Sequence, residues 1–338
     1  MPPLPFSPDA PWLAPLAGFS DLPFRLLCRE LGAAAAVTEM VSAKGLFYDS
    51  RNTRRLLATH PDDAPLVVQL FGAEPEYLRR AVRELAGDGY AFFDLNCGCS
   101  VRKVVKTGAG AALLGDPERL VACAAAMAEA AGPGKVGVKL RLGPKPPDFT
   151  ALPLAERLAG AGIAWLALHP RHASQGFSGT ADVDKLAAFV AASPLPVLAS
   201  GDLMTAEDAV TRLGATGAAG AMYARGALCD PRVLMAWRTG SGMPWARMTT
   251  VAPGAMSAGS LTTRTPLAAY SSSTCGLWMM GPKVRMALAV APFPSGVSMR
   301  EASFLSARST PMQKPAVWAR SSFMRSLRKR RQGPRPRR

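Results

Sequence analysis

With 338 residues, 49% of them apolar, the chain has room for one barrel of roughly 250 residues plus a smaller C-terminal piece, and global disorder is excluded. No apolar run reaches the ~18 residues of a membrane span, and the opening MPPLPFSPDAPW lacks the basic-then-apolar layout of a signal peptide, so no membrane is expected. The net charge of +16 is lopsided: residues 240–338 hold 16 Lys and Arg against one acidic residue, Glu301, which leaves +1 for residues 1–239. Any nucleic-acid argument from bulk charge therefore rests on the tail.

From residue 12 onward, short apolar runs alternate with amphipathic stretches. The runs predict strands at 12–15, 35–38, 66–71, 91–95, 136–140, 164–168, 196–199 and 218–222. Helical periodicity predicts helices at 21–31, 74–85, 117–131, 152–161, 183–192, 206–213 and 227–237, with a thin signal over 42–64. Eight such units imply an α/β protein, either a (β/α)8 TIM barrel or a doubly wound sheet. The polar residues favour the barrel. Glu39, Gln69, Asn96, Lys139, Arg141, His169, Asp202 and Arg225 fall at or just past the ends of seven different strands. A barrel gathers those ends at one mouth, whereas an open sheet spreads them along an edge. The expected division is a catalytic barrel over 1–239 and an irregular basic segment over 240–338.

Six cysteines, at 28, 97, 99, 123, 229 and 275, are scattered, which argues for a reducing cytoplasm rather than a disulfide framework. Cys97 and Cys99 have no second pair or nearby His to complete a zinc site, so no metal is expected. Cys99 lies in the densest motif, DLNCGCSVRKVVKTGAGAALL (94–114), which runs from a strand end into a glycine-bearing loop. A thiol with an ordinary pKa of about 8.5 is protonated at neutral pH and can act as a general acid. Lys139, inside a strand, demands an anionic partner. The loops after the last two barrel strands commonly hold a phosphate with backbone N–H groups, and Ser200-Gly201-Asp202 and Ala224-Arg225-Gly226 occupy those places. No GxGxxG dinucleotide fingerprint is present.

Around the 94–114 motif stand APLAGFSDLPFRLLCRELGA (14–33), TEM (38–40), VVQLFG (67–72), VKLRLG (138–143), LHPR (168–171), SGD (200–202) and ARGAL (224–228). In this order and spacing, over about residues 12–238, they resemble the tRNA-dihydrouridine synthase family, whose signature sets an Asn and a Cys in an N-x-G-C-P-type loop. The resemblance implies reduction of uridine in tRNA to 5,6-dihydrouridine, with FMN as cofactor and NADPH as a transient electron donor. It implies that Cys99 protonates uracil C5 after hydride reaches C6. It assigns cofactor binding to Pro15, Leu16, Ala17, Gln69, Lys139, His169, Ser200, Gly201, Asp202, Ala224 and Arg225, with Lys139 at the flavin N1/C2=O edge. It assigns substrate binding to Asn96, Arg141 and Arg171. Asn96 has a second reading, as a residue that satisfies loop backbone groups, and Arg141 a second as a flavin contact. Cys97, Cys28 and Cys123 are expected to pack. Glu39 is expected to anchor a loop or fill a barrel layer, and His60 and His172 receive no role. Two departures stand out: Ser100 where the family has Pro, and Ala224 where it has Gly.

Beyond about residue 240 periodicity fails, where relatives carry a helical domain that clasps tRNA. Two readings compete: a flexible basic RNA-binding arm ending in RSLRKRRQGPRPRR, or a shifted reading frame in place of the domain, the latter slightly favoured. A monomer is expected. The rival functions are a flavin barrel acting on a small molecule and a non-catalytic RNA-binding relic.

Overall fold

A computed structural model describes residues 3–235. In chain order its main elements are β1 (Trp12–Leu13), α1 (Leu22–Glu30), β2 (Ala35–Val37), β3 (Val41–Ser42), α2 (Ala43–Phe47), α3 (Arg51–Arg55), β4 (Leu66–Phe71), α4 (Pro75–Gly87), β5 (Phe92–Cys97) and α5 (Arg102–Val105). Then follow α6 (Pro117–Ala131), β6 (Val136–Arg141), α7 (Ala151–Gly160), β7 (Trp165–His169), α8 (Val183–Ala192), β8 (Val197–Ser200), α9 (Ala206–Thr216), β9 (Gly220–Tyr223) and α10 (Arg225–Cys229).

All strand pairs are parallel, in the order β2-β1-β9-β8-β7-β6-β5-β4, and β4 returns to β2 with Ala36 opposite Leu66 and Val37 opposite Val67. β3 prolongs the second stave, with Val41 opposite Leu70. The sheet is a closed (β/α)8 barrel. Its strand order never reverses, so the doubly wound alternative falls.

Strand alternation divides the core in two. Trp12, Ala14, Ala35, Val37, Val67, Trp165, Ala167, Leu198 and Met222 fill the barrel. The opposite set, such as Val68, Leu70, Phe93, Leu95 and Val138, meets the apolar faces of the surrounding helices, among them Leu78, Val82 and Leu85 of α4. Trp165 fits because Gly137 stands opposite it: a Cβ there would lie 2.1 Å from the indole. Phe6 stacks on Trp12 at 5.4 Å and covers the end where β1 begins.

Three boundaries differ from expectation. β1 stops at Leu13 rather than at 15, since Pro15 brings no N–H to the ladder. Residues 43–55 form two five-residue helices, of which α2 is capped by Ser42 Oγ accepting Gly45 N–H at 3.0 Å. The helix expected at 227–237 is instead α10, which ends before Pro231, followed by a single 3-10 turn. Among the described residues no helix is long and apolar enough to cross a membrane. The basic segment, its boundary at 239/240 and both readings of it lie outside the described residues.

Candidate active site

β5 turns Asp94 and Asn96 into the barrel and Cys97 outward, where it is fully buried in the helix-facing core. Cys99 lies just past the strand in a loop held from several sides. Asn96 Oδ1 accepts the N–H groups of Gly98 (3.2 Å) and Cys99 (2.9 Å), and Asn96 Nδ2 donates to Gln69 Oε1 at 2.7 Å. Of the two readings of Asn96, loop-holding is the one the geometry displays; contact with a base is left to one amide hydrogen. The Gly98 carbonyl accepts from Arg141 Nε at 2.8 Å, and the Cys99 carbonyl from Ala111 N–H at 2.9 Å. Gly110, at φ +65, permits that closure: a Cβ there would sit 2.6 Å from the Cys99 carbonyl oxygen. Burial pushes the half-buried Cys99 thiol up, against the Val101 N–H and the charges of Arg141 and Lys139. The thiol is therefore protonated at neutral pH, as a proton donor must be.

The neighbouring staves supply cations. Lys139 stands opposite Asn96 in register and has no hydrogen-bond or ion-pair partner among the described residues. Burial first, and Arg141 second, bring its pKa down to about 8, against the pull of Asp94 and Cys99. His169 is held neutral by burial and by the charges of Lys139, Arg141, Arg171 and Arg225. Arg171 Nη1 lies 3.2 Å from His169 Nε2. A guanidinium only donates, so Nε2 accepts and Nδ1 carries the ring hydrogen.

Arg171, expected at the substrate, is committed to contacts within the protein. It is 2% exposed, and its five N–H groups reach His169 Nε2, both Asp202 oxygens (2.8 Å each) and the carbonyls of Ser178 and Gly179. No donor is left for a ligand; the residue clamps the loop after β7 to the loop after β8. Asp202 also accepts from Arg225 at 2.8 Å and from Ala181 N–H. Burial raises its pKa, but these partners outweigh it and hold the carboxylate below its usual range. A ligand can therefore use only the Asp202 backbone. Arg141 is similarly engaged: beyond Gly98 it donates to the carbonyls of His172 (3.1 Å) and Gly176 (2.8 Å), leaving Nη2. Its guanidinium and that of Arg225 stand 5.6 and 5.1 Å from the ring centre of Phe177, which is 52% exposed.

The glycines of the two phosphate-type loops serve loop packing. A Cβ at Gly201 would lie 2.4 Å from the His169 ring, and one at Gly226 2.2 Å from the Leu203 carbonyl oxygen. Ala224 has φ −119, outside the positive-φ region that favours glycine. After β1, Glu39 accepts Gly18 N–H and anchors the loop as expected. The Leu16 N–H goes to Ser20 Oγ at 2.9 Å and is not free for a ligand. Below that loop, Arg25 and Asp63 form a buried ion pair at 2.8 Å, with Arg25 also donating to the carbonyls of Ser20 and Ala58.

Lys139, His169 Nδ1–H and the uncommitted N–H groups of Arg225 are thus unmet donors at one mouth, a set that fits an anionic organic cofactor. Among the described residues no three His, Cys, Asp or Glu side chains are gathered as a metal site would need.

Comparison with known proteins decides the family. A family model described as dihydrouridine synthase matches residues 12–252. The chain belongs to the dihydrouridine synthase family. It is 37% identical over 229 residues to the "Probable tRNA-dihydrouridine synthase" of Treponema pallidum, covering 65% of this chain and 67% of that protein. It is 35% identical over 219 residues to tRNA-dihydrouridine synthase B of Xanthomonas axonopodis pv. citri, covering 65% and 66%. With tRNA-dihydrouridine synthase B of Pseudomonas aeruginosa it shares 35% over 236 residues, covering 69% and 71%. The chain thus spans about two thirds of the length of these dihydrouridine synthases. Among solved structures, morphinone reductase superposes with a TM-score of 0.50 at 13% identity, covering 69% of this chain and 86% of that one, a likeness of fold.

Three residues of the site escaped sequence reasoning. Asp94 showed only as the first letter of DLN, Gly110 as one glycine of GAG, and Phe177 carried no signal at all.

Proposed function

We propose that this dihydrouridine synthase family member binds FMN at the barrel mouth, draws electrons from NADPH and reduces uridine in tRNA to 5,6-dihydrouridine. The observation that carries the reading is the meeting of a protonated, loop-held Cys99 with an unpartnered Lys139 on adjacent staves. Lys139 would hold the anionic edge of the flavin and Gln69 its ring. His169 and the loops bearing Ser200, Gly201 and Ala224 would hold the ribityl phosphate, with Arg225 neutralising it. When bound, reduced flavin would supply the hydride that uracil C6 receives. Cys99 Sγ gives its proton to C5, so the C5=C6 double bond gains one hydride and one proton. The thiolate left behind faces the Val101 N–H and the charges of Lys139 and Arg141, and its partial exposure lets solvent return the proton. A reducing cytoplasm keeps that thiol available.

The test is a visible absorbance scan of the purified full chain after reconstitution with FMN. One flavin per chain is expected, with weaker binding in Lys139→Ala. A spectrum without flavin bands would contradict the reading.

A further inference from the structure

We infer that Asp94, which lies too deep to touch a substrate, is the positioning residue that sets the order of a hydrogen-bond relay ending on the Cys99 loop. Asp94 is 2% exposed and faces Gln69 across the β4–β5 pairing. Gln69 Nε2 donates to Asp94 Oδ2 at 2.7 Å, Asn96 Nδ2 donates to Gln69 Oε1 at 2.7 Å, and Gly98 and Cys99 N–H donate to Asn96 Oδ1.

The two ends of an amide side chain have nearly the same shape, so its orientation is chosen by its partners. At the inner end, Asp94 Oδ2 only accepts, which turns the Gln69 NH2 toward it. Gln69 then presents oxygen to Asn96, and Asn96 presents oxygen to the loop. Only this order receives the two backbone N–H groups. No other acceptor among the described residues takes either of them, whereas the loop carbonyls have their own donors in Arg141 and Ala111. Without an acceptor at position 94, Gln69 is left with a buried, unmatched NH2, and only the loop N–H groups at the far end of the relay still favour the working orientation over the flipped one.

The order survives titration. Burial raises the Asp94 pKa to about 7, against the Gln69 hydrogen bond and the Lys139 charge. Asp94 Oδ1 is buried and unpartnered. A proton arriving there leaves Oδ2 as the acceptor. Asp94→Asn reproduces that acid form, with NH2 in place of Oδ1, whereas Asp94→Leu removes the acceptor at similar volume.

The inference rests on the proposed role of Cys99 only for its catalytic meaning. Its test reads the loop itself: alkylation of Cys99 by iodoacetamide in the folded full chain, followed peptide by peptide by mass spectrometry. Asp94→Leu should free the loop and speed Cys99 alkylation about fivefold or more, the scale of one unmatched buried hydrogen-bonding group. Cys28, Cys97 and Cys123, all buried, should stay protected. Asp94→Asn should return the rate to within about twofold of wild type. If Asp94→Leu does not fold, Gln69→Met, which cuts the relay in the middle, should show the same acceleration. An unchanged Cys99 rate in the folded variant overturns the inference. So does an Asn variant as fast as the Leu variant, since the charge and not the acceptor would then be what matters. If the variants alkylate as expected but the wild-type chain with FMN reduces no uridine, that counts against the proposed reaction alone.

Discussion

At the scale of single residues, the site separates two cysteines that stand two positions apart. Cys97 belongs to the helix-facing side of β5 and Cys99 to the loop, so only Cys99 can reach a ligand. In single turnover with prereduced flavin, Cys99→Ala should lower uridine reduction by about 10²–10⁴-fold, the usual worth of a general acid, while Cys97→Ala stays near wild type. Burial raises the Cys99 pKa, so the acid form persists beyond the ordinary thiol range. The rate should therefore hold through about pH 8.5 and fall only above it, as the thiol loses its proton. A rate that rises with thiolate would reverse the assignment. Cys99 and Lys139 were legible because each is chemically out of place: a thiol in a glycine loop, an ammonium in a strand. The contacts of Arg171 were not legible because the carboxylate it pairs with, Asp202, lies 31 residues away, and no local pattern announces such a partner. The same distance hid the Asp94–Gln69 pair, 25 residues apart.

At the scale of elements, apolar runs located every stave, and 66–71, 117–131 and 183–192 fall on their predicted bounds. Burial on both faces makes such strands read as continuous apolar runs. Residues 43–55 were illegible because helices of five residues carry no period; α2 is held by its Ser42 cap and α3 by the Arg54–Glu84 pair with α4. Arg25 was likewise unreadable: on α1 it looks like a solvated helix position, yet it is 1% exposed and paired to a fully buried Asp63. That pair ties the helix after the first stave to the 58–63 turn. Breaking it with Arg25→Met or Asp63→Asn should cost roughly 3–5 kcal/mol, because a buried charge is left without its partner. The double change Arg25→Met with Asp63→Leu should recover part of that loss. Urea midpoints at an unchanged slope would measure it. A single change costing under about 1 kcal/mol would mean the pair is not what holds the turn.

At the scale of the whole molecule, closure of the barrel brings side chains from seven staves to one mouth, and this made function readable before any fold was known. The fold alone is shared with morphinone reductase, so the barrel does not choose the substrate. Nor does bulk charge, since residues 1–239 carry only +1. In the proposed reading that choice falls to the Asn96–Cys99 loop of this dihydrouridine synthase family member. The most direct measurement is to incubate the full chain with FMN, NADPH and tRNA lacking dihydrouridine, digest the tRNA and count dihydrouridine by mass spectrometry. The account predicts that dihydrouridine appears in tRNA in step with NADPH consumption. If NADPH is consumed on a small enone or a free pyrimidine while the tRNA stays unreduced, the chain is a small-molecule flavin reductase and the account is wrong.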